Sequence, residues 1–191
     1  MNRLIQKILV CGIVFFGIRT ADAATSSAPA APTAQKTVAS PVAKLLANNL
    51  VVPAHDNFAY YKLPNPGPDY FALYFSAGWC GPCHKFTPKL VKFYQQMKAH
   101  HDNFEVIFVS FDKNEDDMLT YMHELSMPWP AVRFSEGWIN AKLKACCGPG
   151  IPCLVVIDAK GNVIANSYEK GKYVGPSKPM EYLGKLLESS P

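Results

Sequence analysis

The segment Trp79-Cys80-Gly81-Pro82-Cys83-His84 holds two thiols separated by two residues. That spacing lets the second sulfur reach the first when the chain turns into a helix. An apolar, aromatic run, Tyr70 to Ser76, precedes the segment. Phe86, Leu90, Phe93 and Met97 follow at spacings that mark one helical face. The first turn of a helix has unpaired N–H groups and a partial positive charge. A thiolate placed there is stabilised, and the thiolate is the form that attacks disulfides. Pro82 suits an early helical position, where its missing N–H costs little. Roles then follow from position. Cys80, at the expected exposed tip, is the candidate nucleophile. Cys83, one turn inward and more buried, is the candidate resolving thiol. Trp79, Gly81 and Pro82 complete the turn.

Other chemistries use the same letters. Cys-x-x-Cys-His is also the c-type haem attachment pattern. Zinc could use this pair with Cys146 and Cys147 as distant ligands, although adjacent cysteines suit a structural site poorly. An inert structural disulfide is the third alternative. The strand–turn–helix setting favours redox chemistry over all three. Cys146, Cys147 and Cys153 are left over. They are expected to be three packed thiols, since free cysteine is commonly buried as a small hydrophobe. The sharper possibility is that Cys153, next to Pro152, exchanges with the active pair.

The elements that must position this turn are legible around it. Tyr70–Ser76, Phe104–Phe111 and Cys153–Asp158 are apolar runs of strand length. A turn at 159–162 leads to Val163-Ile164-Ala165, so the last two strands are expected to form a hairpin. Asn114 can cap a helix whose first turn, Glu115-Asp116-Asp117, is acidic. Met118, Met122 and Leu125 are its expected buried stripe. A short helix is expected over 138–146 and a last one from Ser177 to Glu188, with Met180, Leu183 and Leu187 inward. Pro88 inside the second element predicts a kink. The order strand, helix, strand, helix, short helix, strand, strand, helix predicts an α/β sheet whose parallel strands are joined to a terminal hairpin. Gly150-Ile151-Pro152 introduces the third strand, where either proline isomer fits.

Composition bounds the function. With 191 residues there is room for one domain and appendages. Hydrophobic residues at 49% supply a core and exclude a disordered chain. A formal charge of +4 does not suggest a nucleic-acid binder. Arg3 and Lys7, the apolar stretch Ile8–Ile18 and Ala21-Asp22-Ala23 predict a secretory signal over residues 1–23. The stretch is too short to span ~30 Å of hydrocarbon; an uncleaved anchor is the competing reading. Losing Arg3, Lys7, Arg19 and Asp22 would lower the formal charge from +4 to +2. The five remaining cysteines would then enter a compartment where disulfides persist, here expected to be the periplasm. No span is expected after signal cleavage. Residues 24–42, rich in Ala, Pro, Ser and Thr, are expected to form a flexible tether, and 43–191 the domain.

These residues resemble the thioredoxin superfamily over roughly 43–187. The marks are Trp79-Cys80-Gly81-Pro82-Cys83, the helix proline Pro88, and Gly150-Ile151-Pro152 before an apolar strand. Tyr74-Phe75-Ser76-Ala77, Phe86-Thr87-Pro88-x-Leu90 and Met127-Pro128-Trp129 resemble the tryparedoxin and nucleoredoxin branch. Secreted bacterial proteins of the cytochrome c maturation type are a near second. The resemblance implies a thioredoxin-like fold with a central mixed sheet flanked by helices. It implies a thiol–disulfide oxidoreductase acting on protein disulfides, more as reductase than oxidant, and recharged by an upstream redox partner. The exchange itself needs no cofactor or metal, and a monomer is expected. It also implies that Pro152 is cis beside Cys80 and that the Ile151 backbone pairs with substrate, with Trp129 as a further substrate contact. A non-catalytic binding module on the same fold is the alternative. Three departures stand out. Tryparedoxins usually carry Pro-Pro where Gly81-Pro82 stands. Tyr74 takes the place of a buried Asp that assists proton transfer in thioredoxins, which leaves His84 as a candidate acceptor beside the simpler reading of an exposed histidine. Cys153 follows Pro152, where Thr is commoner.

Overall fold

The computed structural model describes residues 40–189. The expected signal over 1–23, Cys11 within it, and the tether up to residue 39 lie outside the described residues. The first helix, α1 (Pro41–Leu46), begins with Pro41 at its first position, and the Ser40 hydroxyl accepts the Ala43 N–H at 3.1 Å. Val42 and Leu46 are buried. Residues 40–42, expected in the tether, are thus the cap and first turn of this helix.

Two strands follow that the sequence reading did not anticipate, β1 (Leu50–Ala54) and β2 (Asn57–Tyr61), an antiparallel hairpin. Its turn sets His55 at φ 52°, and Pro53 sits within β1. Both features mask a strand in a sequence. The remaining elements are β3 (Tyr70–Ser76), α2 (Gly81–Lys98), β4 (Phe104–Ser110), α3 (Glu115–Glu124), β5 (Ala131–Val132), α4 (Gly137–Lys144), β6 (Cys153–Asp158), β7 (Val163–Asn166), β8 (Tyr168–Glu169), β9 (Lys172–Tyr173) and α5 (Ser177–Glu188). As expected, Asn114 caps α3, its side chain accepting the Asp117 N–H at 2.8 Å.

Seven strands form one mixed sheet in the order β2-β1-β5-β4-β3-β6-β7. β3 lies inside it, parallel to β4 and antiparallel to β6. The terminal hairpin thus enters the sheet antiparallel to the strand that carries the motif. Strand β3 reads as a continuous apolar run because both its faces are covered. On one face Ala72, Tyr74, Val106, Phe108, Leu154 and Val156 pack under α2, α3 and α5. On the other, Phe71, Leu73, Phe75, Ile107, Cys153 and Val155 pack under α1 and α4. Glu105, 2% exposed, is the one buried carboxylate in the strands among the described residues. Tyr94 and Tyr61 donate to it at 2.8 and 3.2 Å, and Lys98 Nζ lies 3.5 Å away. Those partners offset the cost of burying its charge.

Candidate active site

β3 ends at Ser76, and residues 77–79 turn the chain into α2. Cys80 is the N-cap of that helix, with extended backbone at φ −91° and ψ 100°. Its sulfur accepts the Cys83 N–H at 3.3 Å, the place where a cap's side-chain oxygen would sit. Pro82 stands in the first turn, as expected. Cys80 and Cys83 are joined by a disulfide, with Cα atoms 5.2 Å apart. α2 runs on through Pro88 to Lys98 without breaking.

Cys83 is fully buried, as expected. Cys80 is not the exposed tip that the sequence suggested: it is 4% exposed. The segment that leads into β6 lies against its sulfur. The Ile151 carbonyl oxygen lies 3.8 Å from that sulfur. Cys80 is still the more accessible of the two, because it borders a cavity of about 450 Å³ lined by Trp79, Gly81, Pro82, Phe111, Pro149, Gly150 and Ile151. The Ile151–Pro152 peptide is cis.

Trp79 is 62% exposed, and its indole N–H donates to the Phe111 carbonyl at 3.1 Å. Trp129 is different. It is fully buried and packs edge-on against Tyr74 and Tyr94. The expected substrate contact at Trp129 is therefore wrong: this ring fills the core, because β5 and the bend before it carry it inward.

The turn is clamped from two sides, by Asp112 from beyond β4 and by His84 from within the segment. The Gly78 N–H donates to Asp112 Oδ1 at 2.7 Å, and the Ser110 hydroxyl donates to Oδ2 at 2.8 Å. The Gly78 carbonyl accepts from His84 Nε2 at 2.6 Å. His84 also stacks on Tyr121, with centroids 5.1 Å apart. It is a half-buried brace, neither an exposed histidine nor a group aimed at the sulfurs. A haem-binding histidine would need to leave this brace. Asp112 was missed in the sequence; its only signal is an acidic residue directly after a buried strand.

Under the disulfide lies a chain of hydroxyls. Tyr74 Oη bonds Thr87 Oγ1 at 2.8 Å, Thr87 bonds Tyr121 Oη at 2.9 Å, and Tyr121 bonds Ser76 at 2.7 Å. The Thr87 hydroxyl also lies 2.9 Å from the Cys83 carbonyl. Burial pushes the Tyr74 hydroxyl far above the ordinary tyrosine range, with Tyr121 adding to the rise. Tyr74 therefore stays protonated and holds the helix rather than accepting a proton. Among the described residues, no three His, Cys, Asp or Glu side chains converge to hold a metal.

A thioredoxin-like family model matches residues 67–163. Tryparedoxin of Trypanosoma brucei brucei is 38% identical over 105 residues, which cover 53% of this chain and 69% of that protein. The chain belongs to the thioredoxin-like family. Human nucleoredoxin is 42% identical over 93 residues, 48% of this chain. The match takes in 21% of nucleoredoxin, so this chain aligns with about a fifth of that protein. Among solved structures, thioredoxin from Wuchereria bancrofti superposes with a TM-score of 0.56 and 34% identity, covering 74% of this chain and 97% of that one. The family has the central mixed sheet and flanking helices described above.

Proposed function

We propose that this protein is a thiol–disulfide oxidoreductase that reduces protein disulfides through Cys80 and Cys83. The observation that carries the reading is the Cys80 sulfur standing as the N-cap of α2 beside an open groove. In the reduced protein, the same N–H groups and the helix dipole favour a thiolate at Cys80. That thiolate attacks one sulfur of a substrate disulfide, and the other substrate sulfur leaves as a thiolate. Cys83 then gives up its proton and attacks Cys80. The Cys80–Cys83 bond forms, the mixed disulfide breaks, and the second substrate thiol is released. Two electrons pass to the substrate, and an upstream dithiol must return them.

The wall opposite Trp79 supports an extended protein substrate. The Ile151 backbone runs past Cys80, and backbone groups at such an edge pair with extended peptides. Arg3, Lys7 and the apolar stretch 8–18 support export across a membrane and work in the periplasm. No helix among the described residues is long and apolar enough to cross a membrane.

Insulin reduction tests the activity. Catalytic amounts of the protein should speed insulin precipitation above dithiothreitol alone, and Cys80→Ser should abolish the gain. No acceleration by the wild type would leave a binding module on this fold as the better reading.

A further inference from the structure

Between α4 and β6 the chain carries Cys146 and Cys147 and, at the start of the strand, Cys153. All three are free thiols, as expected. Cys153 packs on the sheet face opposite Cys80 and Cys83, so it is not placed to exchange with them. The part of this connection that reaches the groove is Pro149, Gly150 and Ile151, which border the cavity at Cys80.

The small hairpin of β8 and β9 grips that stretch. It hangs from β6 by Ser167, whose N–H donates to the Leu154 carbonyl at 3.0 Å and whose hydroxyl accepts the Leu154 N–H at 2.8 Å. Lys170 and Gly171, both at positive φ, make the tight turn that sets Tyr168 opposite Tyr173. The two rings pack with centroids 5.1 Å apart. The Tyr168 hydroxyl accepts the Gly150 N–H at 2.9 Å and donates to the Gly150 carbonyl at 3.3 Å. The Tyr173 hydroxyl donates to the Pro152 carbonyl at 2.8 Å. The fit is close: a Cβ on Gly148 would lie 2.3 Å from the Tyr168 ring, and one on Gly150 would lie 3.1 Å from its hydroxyl.

These bonds occupy the backbone on both sides of Ile151. Pro152 has no N–H to offer. What is left is the N–H and the carbonyl of Ile151 itself. Among the described residues that N–H has no hydrogen-bond partner. The carbonyl lies 3.8 Å from the Cys80 sulfur, which has no hydrogen to donate while it is bound to Cys83. An N–H and a C=O on one residue are what an antiparallel partner needs to exchange both ladder bonds.

We propose that Tyr168 and Tyr173 are positioning residues of the reduction: by holding Gly150 and Pro152, they present the Ile151 N–H and carbonyl alone to the backbone of a substrate polypeptide beside its disulfide. The inference rests on the function proposed above and names what fixes the docking point of the substrate chain. Neither tyrosine lines the Cys80 cavity, so both act through the Gly150 and Pro152 backbone. Removing either hydroxyl keeps the ring packing and frees a backbone group next to Ile151. The wall then loses its fixed register, and a polypeptide substrate pairs less well. A small disulfide without amides loses nothing.

The test uses the full chain. Reduced wild type, Tyr168→Phe and Tyr173→Phe are freed of reductant and mixed with insulin or with hydroxyethyl disulfide, which has no amide to pair. Samples are quenched in acid, alkylated and mapped by peptide mass to time formation of the Cys80–Cys83 bond. Loss of one hydroxyl should slow the reaction with insulin about 3- to 10-fold, the worth of one hydrogen bond, and leave that with hydroxyethyl disulfide unchanged. Tyr173 is 50% exposed, so its variant carries the test should Tyr168→Phe fold poorly. The inference is overturned if both disulfides slow together, as a merely structural role would give, or if neither slows. Wild type that reacts with hydroxyethyl disulfide and not with insulin would remove the proposed activity and this inference with it. Variants that match an active wild type on insulin would overturn the inference alone.

Discussion

Asp112 is a carboxylate held almost out of solvent next to the motif, and it titrates accordingly. Burial raises its pKa above the ordinary 3.8, against the hydrogen bonds from Ser110 and Gly78, which lower it. Between 3.8 and the raised value, the folded protein binds more protons than the unfolded one. Stability attributable to Asp112 therefore falls as pH rises through that window, and is level above it. Asp112→Asn removes this dependence. Urea midpoints of wild type and variant, compared at low and neutral pH, should shift in favour of the variant as pH rises; a constant difference would show that Asp112 titrates alike in both states. Thr87 is the other residue on which the site leans. Its hydroxyl bonds Tyr74 and Tyr121 and lies at the Cys83 carbonyl. Thr87→Val leaves buried hydroxyls short of partners, at a cost of about 1–3 kcal/mol. Urea denaturation should register it, and a loss within error would mean that the network relaxes without it. Neither residue was legible as functional in the sequence. A motif shows which atoms react. It does not show which distant side chains its turn will meet, because those contacts depend on how β4 and α3 are brought alongside.

Elements were more legible than their supports. β3, α2, β4, α3, β6, β7 and α5 each carry a period or cap that local physics reads directly. The β1–β2 hairpin, the two-residue β5 and the small β8–β9 pair carry none, being short, broken by proline or dependent on neighbours. The loop between α4 and β6 shows how far an element's tolerance depends on such neighbours. A Cβ added to Gly148 would come within 2.3 Å of the Tyr168 ring, whereas one added to Gly81 meets nothing within 4 Å. Gly81→Ala should therefore change stability by less than about 0.5 kcal/mol. Gly148→Ala forces ring or loop to move, and overpacking of this kind costs about 1–3 kcal/mol. Thermal melts of the two variants should separate clearly; equal melts would show that Tyr168 yields freely.

At the scale of the whole molecule, the motif sits on the most protected strand. β3 pairs along its length with β4 and β6, and helices cover both faces. Amides of Phe71–Phe75, Val106–Val109 and Leu154–Ile157 should exchange with solvent only through global unfolding, while those of β8 and β9 should exchange locally. Equal protection across all of them, by native-state hydrogen exchange, would contradict a core centred on β3. The fold class was readable because buried strands and an amphipathic helix leave strong patterns. The burial of Cys80 and Trp129 was not, since burial is a property of the assembled sheet and its coverings. The rigid seat leaves the difference between the two sulfurs to position alone: Cys80 borders the groove, and Cys83 lies behind it. Trapping tests that difference most directly. Reduced Cys83→Ser and Cys80→Ser variants are each mixed with insulin, quenched with alkylating agent and separated without reductant. Cys83→Ser should accumulate a mixed disulfide that dithiothreitol releases, and Cys80→Ser should trap none; equal trapping by both would contradict the assignment of Cys80 as the attacking thiol.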